Sequence, residues 1–310
     1  SLGLPFTNRC EAGPASHLLV KGKPKDVFTS YASSLSAALA TYCSLKGADR
    51  TALFFTAAKR NVGYVLEHLG DRPIDTYSSA DAASFRDWLI DRGLTTSSIS
   101  RIFGTVRAVI NLTIQEHGLD CRNAFANIYL PKKAEEKRKP IPKHEIIKIQ
   151  KTCLELADER RLVIALISDT GMRLSEALGL VWSDIELDHE YPHINLVEHP
   201  WRQLKTSGSK RLVPLVGASL EAVKVMHQQR FSTQFLFPSY TSATKCNGNS
   251  ASAALNKWLK QYTGQGVIHS FRHSFRDRLR AADIDTELVD QLGGWAVSSV
   301  GQNYGSGHTL

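Results

Sequence analysis

The chain has 310 residues, with 38 Lys and Arg against 30 Asp and Glu, a net charge of +8 and 42% hydrophobic residues. This length can bury two cores of ordinary domain size, and no apolar run approaches the ~20 residues of a membrane-spanning helix. The five cysteines are scattered and form no CxxC pair, which argues against a disulfide framework or a zinc site and favours a reducing compartment. The positive charge permits nucleic acid as a partner without establishing it.

The first half of the chain has the pattern of a helical domain. Residues 1–25 show no clear periodicity and predict a flexible arm. Across residues 26–130, apolar residues recur at helical spacing with no strand-like alternation. The pattern predicts helices over residues 30–46, 61–69, 79–91 and 96–117. We therefore expect an all-helical domain over 26–130.

Residues 131–143 read PKKAEEKRKPIPK, with six basic residues, two acidic ones and three prolines, and so hold half of the net charge. A charged, proline-rich segment predicts an extended linker. It is either a solvated connector alone or a strap that also lies against a phosphate backbone. The candidate phosphate contacts in it are Lys132, Lys133, Lys137, Arg138 and Lys139.

Residues 144–310 predict a second domain of the α+β class, mainly helical with a small antiparallel sheet. Helices are expected over residues 143–157, 160–169, 173–180, 218–229, 250–262, 270–282 and 286–292, with a short one over 297–304. Strands are expected over 184–187, 193–198, 202–205 and 211–215, with Ser207-Gly208-Ser209 as a hairpin turn. Pro214 predicts that the last of these strands lies at a sheet edge.

Several enzyme templates are excluded. The sequence has no GxGxxG, no Walker A motif, no GxSxG and no HExxH, which argues against nucleotide-binding, α/β-hydrolase and zinc-protease sites. No acidic residues have the spacing of a metal-binding loop. We expect no metal and no other cofactor.

Five short motifs remain, in a fixed order along the chain. They are TGMRLSE at 170–176, the Leu204-Lys205-Thr206 step, HSFR at 269–272, Gly293-Gly294-Trp295 and Tyr304. Any one of them occurs by chance, but together they resemble the tyrosine recombinase, or phage integrase, family of site-specific DNA recombinases. The resemblance covers about residues 140–310, and it implies an integrase-type catalytic domain behind a helical core-binding domain.

Residue chemistry fits the attack of a tyrosine hydroxyl on a DNA phosphodiester. Arg173 and Arg272 carry planar guanidinium groups that pair with phosphate oxygens and oppose the charge that grows in the transition state. Lys205 is the candidate general acid for the leaving 5′ oxygen, with Lys210 and Arg211 as rivals.

The remaining roles follow from the resemblance and from side-chain chemistry. Tyr304 is the expected nucleophile, forming a 3′-phosphotyrosyl enzyme, with Tyr262 as a distant rival. His269, one helical turn before Arg272, would take the tyrosine proton or hold the phosphate. Trp295, where many family members have His, would donate its indole N–H to a phosphate oxygen. Glu176 would orient a neighbouring side chain.

The resemblance also implies partners. These are double-stranded DNA with specific recombination sites, a homo-tetramer on two synapsed sites, and accessory DNA-bending proteins. The helix from residue 96 onward is expected in the major groove, with Arg101 and Arg107 as contacts. Arg276, Arg278 and Arg280 are expected to face solvent or the DNA backbone.

The start of the sequence shows no charged segment followed by an apolar one, as a signal peptide would have. A cytoplasmic, nucleoid-associated recombinase of a mobile element is therefore predicted. Resolution of chromosome dimers and relaxation by a type IB topoisomerase-like enzyme are the alternatives.

Overall fold

The computed structural model describes residues 33–48, 50, 52–131, 139–205, 207–229 and 233–295. The chain divides into two compact units, Ser1–Glu135 and Glu136–Leu310, so the division lies inside the segment 131–143. The predicted arm, the linker residues 132–138 and the expected helix over 297–304 lie outside the described residues.

The first unit contains four α-helices among its described residues. They are α1 (Leu35–Lys46), α2 (Ala52–Leu69), α3 (Ser79–Asp91) and α4 (Thr96–Glu116). Ser78 and Asp81 form a capping box at the start of α3, and the Thr95 side chain caps α4, which satisfies backbone N–H groups that would otherwise lack partners. The rings of Phe85, Phe103 and Phe125 meet in the core with centroids 5.5–6.1 Å apart.

The predicted start of the second helix was wrong, because α2 begins at Ala52 and not at residue 61. The early turns are held by tertiary contacts that periodicity does not reveal. Phe54 stacks on Tyr42 of α1 with centroids 5.6 Å apart, and Ala58 is buried.

The second unit has seven α-helices among its described residues. They are α5 (Lys143–Leu156), α6 (Glu159–Thr170), α7 (Leu174–Leu178), α8 (Gly217–Gln228), α9 (Gly248–Thr263), α10 (Ser270–Ala281) and α11 (Thr286–Gly293). Helix α6 is the centre of this core, because all of its residues from Leu162 to Ile167 are buried and it packs against α5, α8 and α10.

An antiparallel sheet of order β1-β2-β3 accompanies these helices, formed by β1 (Ile185–Glu186), β2 (His193–Leu196) and β3 (Arg211–Pro214). Ile194 lies opposite Val213, and both are buried. Pro214 ends the edge strand β3, as expected of a residue that cannot donate a ladder hydrogen bond. A second hairpin, β4 (Thr241–Ser242) with β5 (Lys245–Cys246), was not predicted.

The predicted strand over 202–205 does not form. His199 and Arg202 instead close a tight turn through two backbone hydrogen bonds of 3.1 and 3.0 Å, and the Arg202 side chain is buried. The predicted hairpin turn at Ser207–Ser209 is a short 3₁₀ helix within the long β2–β3 connection. β3 therefore pairs directly with β2.

The expected fold class, mainly helical with a small antiparallel sheet, is confirmed. Among the described residues, no helix is both long enough and apolar enough to cross a membrane.

Candidate active site

A break between two helices positions Arg173. Helix α6 ends at Thr170, and Gly171 caps it in the left-handed conformation with φ +60°. A Cβ at Gly171 would lie 2.5 Å from a ring carbon of Phe275, so glycine is required for both reasons. Arg173 then occupies the N-cap of α7, with 21% of its side chain exposed.

Glu176 is the buried carboxylate that organises this break. It accepts from the Arg173 backbone N–H at 3.0 Å, from Arg173 Nη1 at 2.5 Å and from Arg211 Nη2 at 3.2 Å. Burial opposes ionisation of Glu176, but the charge of Arg211 and the hydrogen bonds and charge of Arg173 outweigh it, so its pKa lies below the ordinary glutamate value. Glu176 is therefore an anion that fixes two guanidinium groups.

Arg211 has a place in this site that sequence reasoning missed, since it was considered only as a rival proton donor. Its side chain is 3% exposed, and its Nε and Nη1 donate to the carbonyls of Leu292 and Ser209, each at 2.9 Å. Burial lowers its pKa, while Glu176 opposes that shift. The sequence did hold one indication of this role, because Arg211 alternates with Val213 on the buried face of the predicted strand.

Arg272 lies on α10 and is buried. Its Nη1 donates to the Gly171 carbonyl at 2.8 Å and its Nη2 to the Gly294 carbonyl at 3.4 Å. Burial, and then the neighbouring Arg173 charge, lowers the pKa of Arg272 to about 10. The side chain still carries its charge at neutral pH.

The Gly294 carbonyl joins the two candidate phosphate-binding arginines, because Arg173 Nη2 also donates to it, at 3.3 Å. Gly294 caps α11 with φ +60°, and a Cβ there would lie 2.8 Å from Arg211 Nη1. A Cβ at Gly293 would collide with the Trp295 ring at 1.7 Å. Glycine at 293 therefore leaves room for the Trp295 ring, and glycine at 294 lets the chain pass close to Arg211.

Trp295 follows that step, and two guanidinium groups lie over its ring. Arg272 Cζ is 4.4 Å and Arg276 Cζ is 4.7 Å from the ring centroid, which is favourable cation–π geometry. Arg276 also donates to Asp290 at 2.7 Å. The indole thus covers Arg272, in addition to any contact that its N–H makes with a substrate.

The two candidate proton-transfer residues are more exposed. His269 is exposed at the N-cap of α10, and its ring centroid lies 5.5 Å from that of His273. Lys205 is exposed in the β2–β3 connection, as is Lys210. Tyr262, the rival nucleophile, is half-buried on α9 and packs on Trp258 with centroids 4.6 Å apart.

Some predicted residues lie elsewhere or outside the described chain. Tyr304 and the linker residues Lys132, Lys133, Lys137 and Arg138 lie outside the described residues, whereas Lys139 is described and exposed. Arg101 and Arg107 both lie on α4 in the first unit; Arg101 is exposed and Arg107 is half-buried.

Arg276 and Arg278 are less exposed than expected, and their contact with the DNA backbone stays a prediction. Both form ion pairs inside the unit, Arg276 with Asp290 at 2.7 Å and Arg278 with Asp169 at 2.8 Å. Both side chains are less than one-third exposed. Arg280 remains 59% exposed.

The arrangement is a positively charged cluster with a single carboxylate at its centre. Arg173 and Arg211 bond Glu176, and within the described residues Arg272 uses two of the five N–H donors of its guanidinium on protein carbonyls. Remaining donors in a partly desolvated, preorganised setting suit an anion such as a phosphate. The described residues contain no cluster of His, Cys, Asp or Glu that could hold a metal.

Comparison with known proteins assigns the class. The family model described as "Phage integrase family" matches residues 139–306. The chain is 24% identical to the tyrosine recombinase XerC of Neisseria gonorrhoeae, over 93% of this chain and 87% of that protein. It is also 24% identical to the tyrosine recombinase XerD of Oceanobacillus iheyensis, over 78% and 82% of the two chains.

Solved structures share the fold. The Tn1549 transposon integrase in complex with a circular intermediate DNA matches with a TM-score of 0.69 and 16% identity, covering 90% of this chain and 96% of that one. A lambda integrase tetramer bound to a Holliday junction matches with a TM-score of 0.68 and 17% identity, covering 91% and 83%.

These matches define a DNA cleaving and rejoining enzyme of the tyrosine recombinase class. Since the family model spans more than half of the chain, the chain belongs to the phage integrase family, as its motifs predicted.

Proposed function

We propose that this protein is a site-specific recombinase that cuts and rejoins double-stranded DNA through a covalent 3′-phosphotyrosine intermediate. The observation that carries the proposal is the convergence of Arg173 and Arg272 on one carbonyl, that of Gly294. Two fixed cations with spare donors suit the non-bridging oxygens of a phosphodiester.

The chemistry is an exchange of one phosphodiester for another. The hydroxyl oxygen of Tyr304 attacks phosphorus and forms the phosphotyrosyl bond, while the bond from phosphorus to the 5′ oxygen breaks. His269 accepts the tyrosine proton, and Lys205 gives a proton to the leaving oxygen. Glu176 holds Arg173 in place, and Trp295 lies over Arg272. Attack by a 5′ hydroxyl reverses these steps and rejoins the strand without ATP.

DNA would be held by two further sets of residues. Arg101 and Arg107 on α4 are proposed contacts in the major groove, and the basic residues of 131–143 are proposed backbone contacts. The DNA-bound transposon and lambda integrases support duplex DNA as the partner, and the lambda tetramer on a Holliday junction supports a homo-tetramer that exchanges strands pairwise. Accessory DNA-bending proteins are proposed only for bringing two sites together and take no part in the chemical step.

The proposed role is integration or excision of a phage or other mobile element. The transposon and lambda integrases among the fold neighbours support it. Resolution of chromosome dimers is the second role, supported by the similarity to XerC and XerD. Exchange between two different sites on separate molecules supports the first, whereas exchange confined to two identical sites within one molecule supports the second.

The covalent intermediate is testable on a denaturing gel. Nicked suicide duplexes, which lose the short leaving strand after cleavage, should trap a protein–DNA adduct with the wild-type protein. Tyr304→Phe should give none, because it lacks the attacking oxygen. The matched control is Tyr262→Phe, which should keep the adduct.

Other outcomes would overturn parts of the proposal. An adduct that survives in Tyr304→Phe and disappears in Tyr262→Phe would reassign the nucleophile. No adduct on any duplex would reduce the protein to DNA binding alone. Relaxation of supercoiled plasmid without paired sites would point to a topoisomerase-like activity.

A further inference from the structure

The turn His199–Arg202 ends three residues before Lys205 and is bonded to helix α7, whose N-cap is Arg173. Arg202 is buried, and its Nη1 donates to the Glu176 carbonyl at 3.0 Å. Its Nη2 donates to the Val197 carbonyl and lies 3.6 Å from Asp184 Oδ2. The Arg202 side chain thus links the turn, the segment just after β2 and helix α7.

A second set of contacts presses the same turn onto the end of α7. Trp201 Nε1 donates to the Gly179 carbonyl at 3.0 Å. A Cβ at Gly179 would lie 2.5 Å from Arg202 Cδ, so this glycine lets the arginine pass against the backbone. His199 stacks on Trp201 with centroids 4.7 Å apart and bonds Asp184 at 2.9 Å.

Burying the Arg202 guanidinium costs free energy, which indicates that this side chain has a role other than stabilising the fold. Burial lowers the pKa of Arg202, although Asp184 and Glu176 oppose the shift, and its Nε is buried without a hydrogen-bond partner among the described residues. A buried cation of this kind is a poor source of stability compared with an apolar side chain. Its donors go to backbone carbonyls of two elements, which fixes their relative position.

Lys205 is the residue that needs such fixing. It is exposed, and no hydrogen bond or ion pair within the described part of the chain holds its ammonium group. A general acid must lie within hydrogen-bond reach of the oxygen that it protonates, and a displacement of ~1 Å can cost ~10²-fold in rate. The nearest rigid support before it in the chain is the turn held by Arg202.

We propose that Arg202 is a positioning residue for Lys205, fastening the base of the Lys205 loop to α7 so that the ammonium meets the leaving 5′ oxygen. The inference rests on the proposed function, in which Lys205 is the general acid. It assigns no contact with DNA to Arg202 itself.

The test compares two scissile phosphates, one with the normal bridging 5′ oxygen and one with sulfur in its place. A thiol has a pKa of about 8.5 and leaves as the thiolate, so it needs no proton from a general acid. Single-turnover cleavage of both suicide duplexes is measured for Lys205→Ala, Arg202→Met and the wild type, all as the full chain.

If Arg202 positions Lys205, Arg202→Met slows the oxygen substrate by ~10²-fold and leaves the sulfur substrate within ~3-fold of wild type. The double variant Arg202→Met with Lys205→Ala cleaves the oxygen substrate no more slowly than Lys205→Ala alone, because the two changes remove the same function. Arg161→Met is the matched control, because Arg161 also pairs with a carboxylate and has a buried Nε with no hydrogen-bond partner in the part of the chain that the structure describes. It should cleave both substrates normally.

The failures are distinguishable. If Lys205→Ala slows both substrates equally, the proposed general acid is wrong. If Lys205→Ala is rescued by sulfur while Arg202→Met is unaffected or slows both substrates equally, the positioning role is wrong. Should Arg202→Met fail to fold, Trp201→Phe is the second variant. It removes the indole N–H that donates to Gly179 and keeps an aromatic ring beside His199. It should give the same selective loss at smaller size, and equal loss on both substrates overturns the proposal.

Discussion

Glu176 shows how one buried carboxylate can organise several cations. Its two oxygens accept from Arg173 and Arg211, and its backbone carbonyl accepts from Arg202. Three arginines from three parts of the chain therefore meet one residue on α7. An uncompensated guanidinium in this position would be costly, since removing one partner of a buried pair typically costs ~3–5 kcal/mol.

Replacing Glu176 by Gln should destabilise the protein by on the order of 3 kcal/mol at pH 7. Because the folded pKa is lowered, the charge of Glu176 contributes its full stability above the unfolded value of about 4.3. That contribution is lost as the pH falls through the folded pKa. Urea unfolding of wild type and Glu176→Gln from pH 7 to pH 3 should show the difference shrinking at the acidic end.

Glu155→Gln is the control for this measurement. Glu155 pairs with Lys151 at 3.9 Å, with 60% of its side chain exposed, so the variant should change the unfolding free energy little at any pH. A Glu176→Gln difference that stays constant down to pH 3 would contradict the charged role of Glu176.

At the scale of elements, the end of α11 sets the geometry of the site. Its last residues place the Gly294 carbonyl between Arg173 and Arg272, and the Leu292 carbonyl accepts from Arg211. Carbonyls at a helix C-terminus lack intrahelical partners and carry partial negative charge. The helix end therefore attracts and orders the guanidinium groups.

Gly294→Ala should destabilise the second unit by more than about 1 kcal/mol, because alanine is strained at positive φ and its Cβ would lie 2.8 Å from Arg211 Nη1. Cleavage of the oxygen substrate should fall with it. Gly248→Ala is the matched control, since Gly248 starts α9 and has no atom within 4 Å of an added Cβ. Thermal unfolding of the two variants checks this, and equal transition temperatures would refute the strain argument.

For the whole molecule, the distribution of charge matters more than its sum. The net charge is +8, and residues 131–143 alone contribute half of it. Much of the remaining basic charge in the second unit is paired, as with Arg276 and Arg278. A concentrated basic segment and a few fixed guanidinium groups are the expected sources of affinity for phosphate.

Removing positive charges from residues 131–143 should therefore lower the affinity for DNA and make that affinity less dependent on salt concentration. Lys132→Gln with Lys133→Gln should lower the slope of log K against log salt by about 0.9 for each phosphate that the variant no longer neutralises. Lys151→Gln with Lys224→Gln removes the same charge from exposed lysines that pair with nearby glutamates, and it should change the slope less. Fluorescence anisotropy over a salt series gives both slopes, and equal reductions would assign the effect to net charge.

The amino-acid sequence was enough to locate most elements and to indicate the family. Periodicity and caps placed most helices closely, such as α3 and α4, because apolar spacing and capping are local properties. The five ordered motifs indicated the phage integrase family, because each motif is a short run of residues whose side chains suit one part of the reaction. Alternation also placed β2 and β3, whose inward residues include the apolar pair Ile194 and Val213.

Which side chains share a site depends on the tertiary fold alone. The Arg211–Glu176 pair spans 35 positions and the Arg173–Gly294 bond spans 121, separations at which no periodic pattern carries information. The turn at Arg202 replaced a predicted strand because a buried guanidinium bonds α7 across the fold. Local propensity cannot anticipate such contacts, since their energy depends on burial and on partners that folding alone brings together.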